Sequence, residues 1–460
     1  MVDQENRPTT VEAVSASSGQ AHGPTSAEDN DPEWPSPVVG PSRPRLFSVL
    51  GPGLVTGASD DDPSGIATYS QVGAQFGYGL SWSLLVTYPL MVAMQMISAR
   101  LGRTTGHGLA GVLRLYCPSW LLSAMVVLLL VANIVNLGAD LGAMADALNL
   151  LLPSGRVLYV LLFAAVAISM QLFLQYTRYV AVLKWLTLVL FAYFAALACV
   201  RVDWWMLGHQ LVWPDWHSTH TAGYWTALVA ILGTTISPYL FFWQASEEVE
   251  DMHVYPRRVN LVDAPAQGKN ALKRIRIDTL VGMAFSNLVA LAILVTTAAT
   301  LNVHGVTDIQ TSAQAAEALR PIAGRFASLI FTLGIVGTGL LAVPVLAGSA
   351  AYAVGEARQW PTGLERRPKE AQAFYATLVL ATLVGMILNF APIDPIKALF
   401  WSAVLNGVVA VPVMVVMMIV ASRADIMGRF VIRGLLKWLG WAATLMMAGV
   451  VAGMLWSFSG

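Results

Sequence analysis

From Leu46 onward, long apolar runs alternate with short polar connections. About 20 residues of helix cross the ~30 Å hydrocarbon core of a bilayer. Eleven runs reach that length: 46–76, 79–99, 119–150, 156–176, 178–200, 222–246, 275–301, 326–354, 371–390, 396–421 and 434–458, called spans 1 to 11 below. The pattern predicts an all-α integral membrane protein. Two spans are interrupted. Span 1 contains Asp60-Asp61-Asp62-Pro63-Ser64-Gly65, and span 6 contains Gly233-Thr234-Thr235-Ile236-Ser237-Pro238. Proline lacks the N–H that an α-helix needs, and glycine favours non-helical geometry. A broken helix is tolerated at membrane depth only where it faces protein or a water-filled cavity.

The two breaks lie five spans apart. An odd offset reverses the orientation of the second unit, so residues 46–200 and 222–421 are expected to form two inverted five-helix repeats, with 434–458 added as an eleventh helix. That organisation points to a secondary transporter with its site near the midplane, between the breaks. The first half of each broken helix ends there, and a helix C-terminus carries partial negative charge. Freed carbonyls, that dipole and the Asp62 carboxylate together favour a cation. The alternative is a pair of proline kinks with no ligand. The aspartates weigh against it, because charge buried in a membrane is costly and usually functional. Consecutive residues of a helix differ by about 100° around its axis. Asp62, beside Pro63, is the expected ligand, and Asp60 and Asp61 are expected to add negative potential or line a vestibule.

Span 3 places Asn133, Asn136 and Asp140 on one face by their spacing of three and four. An acid among them favours a cavity-lining role over interhelical bonding, which is the usual role of a lone Asn. Asn406 in span 10 fits either role. Glu247, Glu248, Glu250 and Asp251 follow span 6, as a cation exit or as a solvated acidic helix end.

Composition narrows the classes. Apolar residues are 56% of the chain and charged residues 12%, about half the charge of a soluble chain. Lys+Arg and Asp+Glu number 27 each, which leaves no bulk attraction for nucleic acid. Two cysteines exclude a disulfide scaffold. Residues 1–45 are rich in Pro, Ser and acids, with little to bury, and are expected to be a disordered tail without a signal peptide. With the tail in the cytoplasm, 22 of the Lys and Arg fall on the cytoplasmic side and five on the other. The expected location is the plasma (inner) membrane, N-terminus inside and C-terminus on the opposite side.

At this point the motifs resemble a known family. Gly51-Pro52-Gly53 followed by Asp62-Pro63-Ser64-Gly65 is similar to the first helix of the Nramp divalent-metal transporters, whose motif there is Asp-Pro-Gly-Asn. Similarity continues through Gln71 to Tyr78, Ser98-Ala99-Arg100-Leu101-Gly102 and Ala139-Asp140-Leu141. Leu232 to Tyr239 resembles the sixth helix, which in the family carries Gly-Ala-Thr-Ile-Met-Pro-His. The resemblance implies the LeuT-type fold and a metal site at Asp62, Gly65, Thr234 and Ser237. Asp61, Ser64, Asn133, Asn136, Asp140, Tyr239, Gln244 and Asn406 would support it.

The departures carry information. The family's metal-binding Asn falls on Gly65 and its Met ligand on Ser237. The Ala whose carbonyl binds metal falls on Thr234. Two histidines linked to proton movement fall on Tyr239 and Gln244, and an acid after Asp140 falls on Ala143. This pattern resembles the Nramp-related magnesium transporter branch. Thioether sulfur selects softer metals, whereas Mg²⁺ takes oxygen donors and keeps several waters. The expectation is therefore Mg²⁺ uptake without proton coupling and without a cofactor; a proton-coupled Mn²⁺ or Fe²⁺ importer is the alternative. An organic-solute carrier on the same fold would not need an acid at the break. An intramembrane aspartyl protease would leave broken span 6 unexplained, and a metal sensor without flux is the binding-protein rival.

Overall fold

Asp62 stands in extended backbone (φ −67°, ψ 171°) and starts a new helix, Pro63–Phe76, as its N-cap. Pro63 occupies the first helical position, where the missing N–H costs nothing. Span 6 breaks in the same way. Helix Tyr224–Thr235 stops at Ile236, Ser237 is extended (φ −77°, ψ 131°), and helix Pro238–Val254 restarts at a proline.

The computed structural model describes residues 57, 59–173, 190–214, 223–255, 257–320, 324–391 and 394–459. All belong to one unit, Pro35–Gly460. The tail of residues 1–45, the Gly51-Pro52-Gly53 motif, the start of spans 1 and 5, and His217 and His220 lie outside the described residues.

The remaining spans are helices: Ser81–Thr105 (span 2), Ser119–Leu151 (3), Arg156–Phe173 (4), Phe191–Cys199 (described part of 5), Gly268–Thr300 (7), Ala327–Arg358 (8), Gln372–Leu388 (9), Pro395–Ala421 (10) and Gly434–Ser459 (11). Among the described residues, eight helices are long and apolar enough to cross a membrane, counting the two halves of span 6 together. Span 9 is a shorter apolar helix.

Three boundaries differ from expectation. Span 2 continues to Thr105. Span 7 starts at Gly268, so Lys269, Lys273 and Arg274 belong to its first turns and not to a loop. Span 6 runs to Val254 and carries His253, exposed, near its end, although the apolar pattern stops at 246. In each case backbone hydrogen bonding continues past the apolar stretch, because a helix does not need hydrocarbon around it. Four short α-helices among the described residues were not visible in the pattern, among them Leu109–Tyr116 after span 2 and Trp204–Val212 after span 5. The latter exposes Trp204 and Trp205, as suits an element at a membrane interface.

Packing relates the two halves. The second half of span 1 lies on span 7, as the second half of span 6 lies on span 2. Both crossings are close: a Cβ on Gly73 would strike the backbone of Leu294, and one on Gly102 the backbone of Ala245. Span 3 packs on spans 8, 9 and 10, and the first half of span 6 on spans 10 and 11.

Candidate functional site

The two breaks meet, and Asp62 is where their polar groups converge. Oδ1 accepts from Ser64 Oγ (2.6 Å) and from the Gly65 amide (2.8 Å). Oδ2 accepts from Asn136 Nδ2 of span 3 and from the Tyr239 hydroxyl of span 6, each at 3.2 Å. Tyr239 shares that proton with the Ser59 carbonyl, also at 3.2 Å. Asp62 is only 1% exposed, so the site is closed to solvent in this conformation. A buried carboxylate requires such donors, since each lost water must be replaced.

At the span 6 break, Pro238 cannot donate to the Thr234 carbonyl. The Ser237 hydroxyl reaches back instead, 2.8 Å from both the Gly233 and Thr234 carbonyl oxygens. Its proton is thus committed to the backbone, which leaves its lone pairs as the part able to meet a cation. Thr234 and Gly65 face each other: a Cβ added at Gly65 would lie 3.1 Å from Thr234 Oγ1. The Asp62 carboxylate, the Thr234 carbonyl and the Ser237 hydroxyl thus all lie at the two breaks. Gly65, lacking a side chain, contributes its amide to Asp62 and close access by its neighbours. Among the described residues no three His, Cys, Asp or Glu side chains converge on a metal position.

Span 3 divides its polar face between two tasks. Asn136 bonds Asp62, and Asp140, wholly buried, has no hydrogen-bond partner and has Asp62 as its neighbouring charge. Asn133 departs from the lining role. Its amide donates to the Leu346 carbonyl (2.9 Å) and to Ser349 Oγ (2.7 Å) of span 8, so it joins helices. Asn406 is buried in span 10, with both amide atoms unpartnered. Gln244 is buried on the second half of span 6.

Two expectations need correction. Asp60 and Asp61 do not line an open vestibule. Both are 1% exposed and turn toward span 7, where Ser286 Oγ lies 2.7 Å from Asp60 Oδ2 and 3.3 Å from Asp61 Oδ1. The acids after span 6 are not a solvated helix end either: Glu247, Glu248, Glu250 and Asp251 are all buried. Arg274 of span 7 pairs with Glu248 (2.5 Å) and Asp251 (3.7 Å), Arg258 pairs with Asp251, and Tyr352 of span 8 donates to Glu250. Sequence reasoning missed Ser286, although Ser286-Asn287 is a polar interruption of an apolar run. It also missed Glu356 of span 8, which accepts from the Gly111 amide (3.0 Å) and Ser246 Oγ (2.9 Å).

With this geometry in view, the chain can be set beside known proteins. The family model described as "Natural resistance-associated macrophage protein-like" (Nramp) matches residues 53–457. The divalent metal cation transporter MntH of Deinococcus radiodurans is 26% identical over 436 residues, covering 90% of this chain and 91% of its own. MntH of Ralstonia nicotianae is 28% identical over 305 residues, covering 64% of this chain and 66% of its own. Among solved structures, the Eremococcus coleocola manganese transporter in complex with an aromatic bis-isothiourea compound superposes with a TM-score of 0.69. It covers 91% of this chain and 88% of the other at 17% identity, a likeness of fold.

Proposed function

The chain belongs to the Nramp family, and from that membership we propose that it is a secondary transporter of divalent metal ions whose principal cargo is Mg²⁺, moved without protons. The observation that carries this reading is the donor set between the breaks. One carboxylate, a backbone carbonyl and a hydroxyl supply oxygen, and neither break segment, 59–65 or 233–239, contains Met, Cys or His. Hard oxygen donors and retained waters suit Mg²⁺. Binding would require Asp62 Oδ2 to exchange its 3.2 Å contacts with Asn136 and Tyr239 for the ion or one of its waters.

The same residues support the reading of transport without protons. Coupling needs a group that exchanges protons near neutral pH as the ion binds, and histidine is the natural one. The phenol of Tyr239 holds that place against Asp62, and an amide, Gln244, holds the other. Two positive charges falling through about 100 mV release roughly 4.6 kcal/mol, enough to accumulate Mg²⁺ without a proton gradient. We take the two halves as inverted repeats and the N-terminus as cytoplasmic, which the 22-to-five division of basic residues supports.

The names of the relatives favour a second reading, transport of Mn²⁺ or another softer ion. Flux into liposomes containing the purified chain, compared for Mg²⁺, Mn²⁺, Ca²⁺ and Cd²⁺, decides between them. Mg²⁺ entry that persists against excess Mn²⁺ is expected. Saturable entry of Mn²⁺ and Cd²⁺ with no entry of Mg²⁺ would establish the second reading.

A further inference from the structure

Asp60 and Asp61 are not explained by a single cation at Asp62. Together with Asp62 and Asp140 they make four carboxylates, each no more than 1% exposed. None of the four makes an ion pair among the described residues. Spans 1, 3 and 6 contribute no Lys or Arg over 57–76, 119–151 and 224–246. Burying uncompensated charge is expensive. A single cation at Asp62 leaves Asp60 and Asp61, which turn toward Ser286 of span 7, without a role.

The surroundings of Asp60 and Asp61 are built of oxygen. Among the described residues Ser286 is their only hydrogen-bonding side chain, and Asp60 Oδ1 and Asp61 Oδ2 have no partner. A further buried hydroxyl lies close to the same break. The Tyr69 hydroxyl, on the helix after the break, is 1% exposed and makes no hydrogen bond of ordinary geometry. Thr234 is its polar neighbour, and Asp60 and Asp61 head the charges that act on it. The phenol makes no hydrogen bond to the Asp60 or Asp61 carboxylate. Two carboxylates, an aliphatic hydroxyl and a phenol make a hard donor set, without nitrogen or sulfur.

We propose that Asp60, Asp61 and Ser286, with Tyr69 facing them, form a second cation subsite between the break of span 1 and span 7, occupied alongside the ion at Asp62. The ligand is a hard cation, Mg²⁺ or Na⁺. The subsite rests on the reading of Asp62 as a cation ligand, because its role is to balance the charge that the first ion leaves. Loading both subsites would then join span 7 to the break of span 1 through the Ser286 hydroxyl, so that the ion content of the site and the position of span 7 are linked.

The test is equilibrium dialysis of the purified full-length chain in nanodiscs, with Mg²⁺ in one arm and radioactive Na⁺ in the presence of saturating Mg²⁺ in the other. Wild type is expected to bind either about two Mg²⁺, or about one Mg²⁺ and one Na⁺. The Asp60→Asn/Asp61→Asn variant is expected to lose one of the two ions and keep the other. Ser286→Ala should weaken the second ion about tenfold and leave the first unchanged. Because the double variant could misfold, its thermal unfolding and size-exclusion profile are compared with wild type, and Ser286→Ala gives the same reading with a smaller change. A single Mg²⁺ in wild type, with no Na⁺ and no effect of the Asp60, Asp61 or Ser286 changes, overturns the subsite and leaves Asp62 standing. An Asp62→Ala protein that binds the first ion as wild type does overturns the Asp62 reading instead, whatever the behaviour of Asp60 and Asp61.

Discussion

Tyr239 of span 6 donates its phenolic hydroxyl to Asp62 of span 1 at 3.2 Å, across the gap between two broken helices. The bond joins the residue that replaces a family histidine to the single acid kept from the metal motif. A phenol in this place can donate to the carboxylate without giving up its proton at neutral pH, its ordinary pKa being about 10. Tyr239→Phe removes this donor and the contact with Ser59. A hydrogen bond contributes about 0.5–1.5 kcal/mol net, so thermal stability should fall slightly. Mg²⁺ flux should stay within about tenfold of wild type, measured in liposomes by an internal Mg²⁺ dye, because the phenol orients Asp62 and is not a ligand.

Asp62→Ala should abolish flux while the protein remains folded. Ser64, Gly65, Asn136 and Tyr239 would lose their acceptor, and the Ser64 hydroxyl and Tyr239 phenol can turn to nearby backbone carbonyls. Circular dichroism and size exclusion check the fold, and a tracer assay checks flux.

Introducing a sulfur donor should move selectivity. Ser237→Met removes the hydroxyl that caps the Gly233 and Thr234 carbonyls and supplies a soft ligand. The ratio of Cd²⁺ to Mg²⁺ flux should rise about tenfold. Adding Gly65→Asn alone is expected to be poorly tolerated, because its Cβ would lie 3.1 Å from Thr234 Oγ1 and 3.2 Å from the Asp60 carbonyl. Overpacking of this kind costs about 1–3 kcal/mol. Thr234→Ala in the same chain should restore stability, as measured by the unfolding temperature in detergent.

Gly102 and Arg274 test how the second half of span 6 is held. Gly102→Ala sets a methyl against the Ala245 backbone and should destabilise by about 1–3 kcal/mol. Arg274→Ala leaves Glu248 and Asp251 buried with less compensation and should cost about 3–5 kcal/mol. Arg274→Lys should recover much of that, since a single guanidinium nitrogen, Nη2, makes both contacts and one ammonium can stand in its place. Thermal unfolding of the three variants is the measurement.

Much of this architecture was legible from the chain because two local rules are strong. Apolar length marks a span, and Pro63 and Pro238 mark where a helix cannot continue. Asp62 stood out because a carboxylate in an apolar run needs partners. The partners were harder to foresee. Asn133 and Asn136 share a helical face and are chemically alike, but Asn136 meets Asp62 and Asn133 meets span 8, a distinction set by which helix lies opposite. Ser286 gave a weak signal, one hydroxyl in a long span, and it gains meaning only when the fold brings it to Asp60. Polar helix extensions were lost for a related reason. The turns holding Lys269 and Arg274 look like loop by hydropathy, and their helix is fixed by backbone bonding and by ion pairs to span 6.

The central claim is that Mg²⁺ crosses through the Asp62 site without protons. The most direct measurement places the purified chain in liposomes holding a Mg²⁺ dye and a pH dye, imposes an inside-negative potential, and adds external Mg²⁺. The account predicts that luminal Mg²⁺ rises with the size of the potential while luminal pH stays constant, and that Asp62→Ala abolishes the rise. Luminal acidification that tracks Mg²⁺ entry and disappears in Asp62→Ala, or Mg²⁺ entry undiminished in that variant, would contradict it.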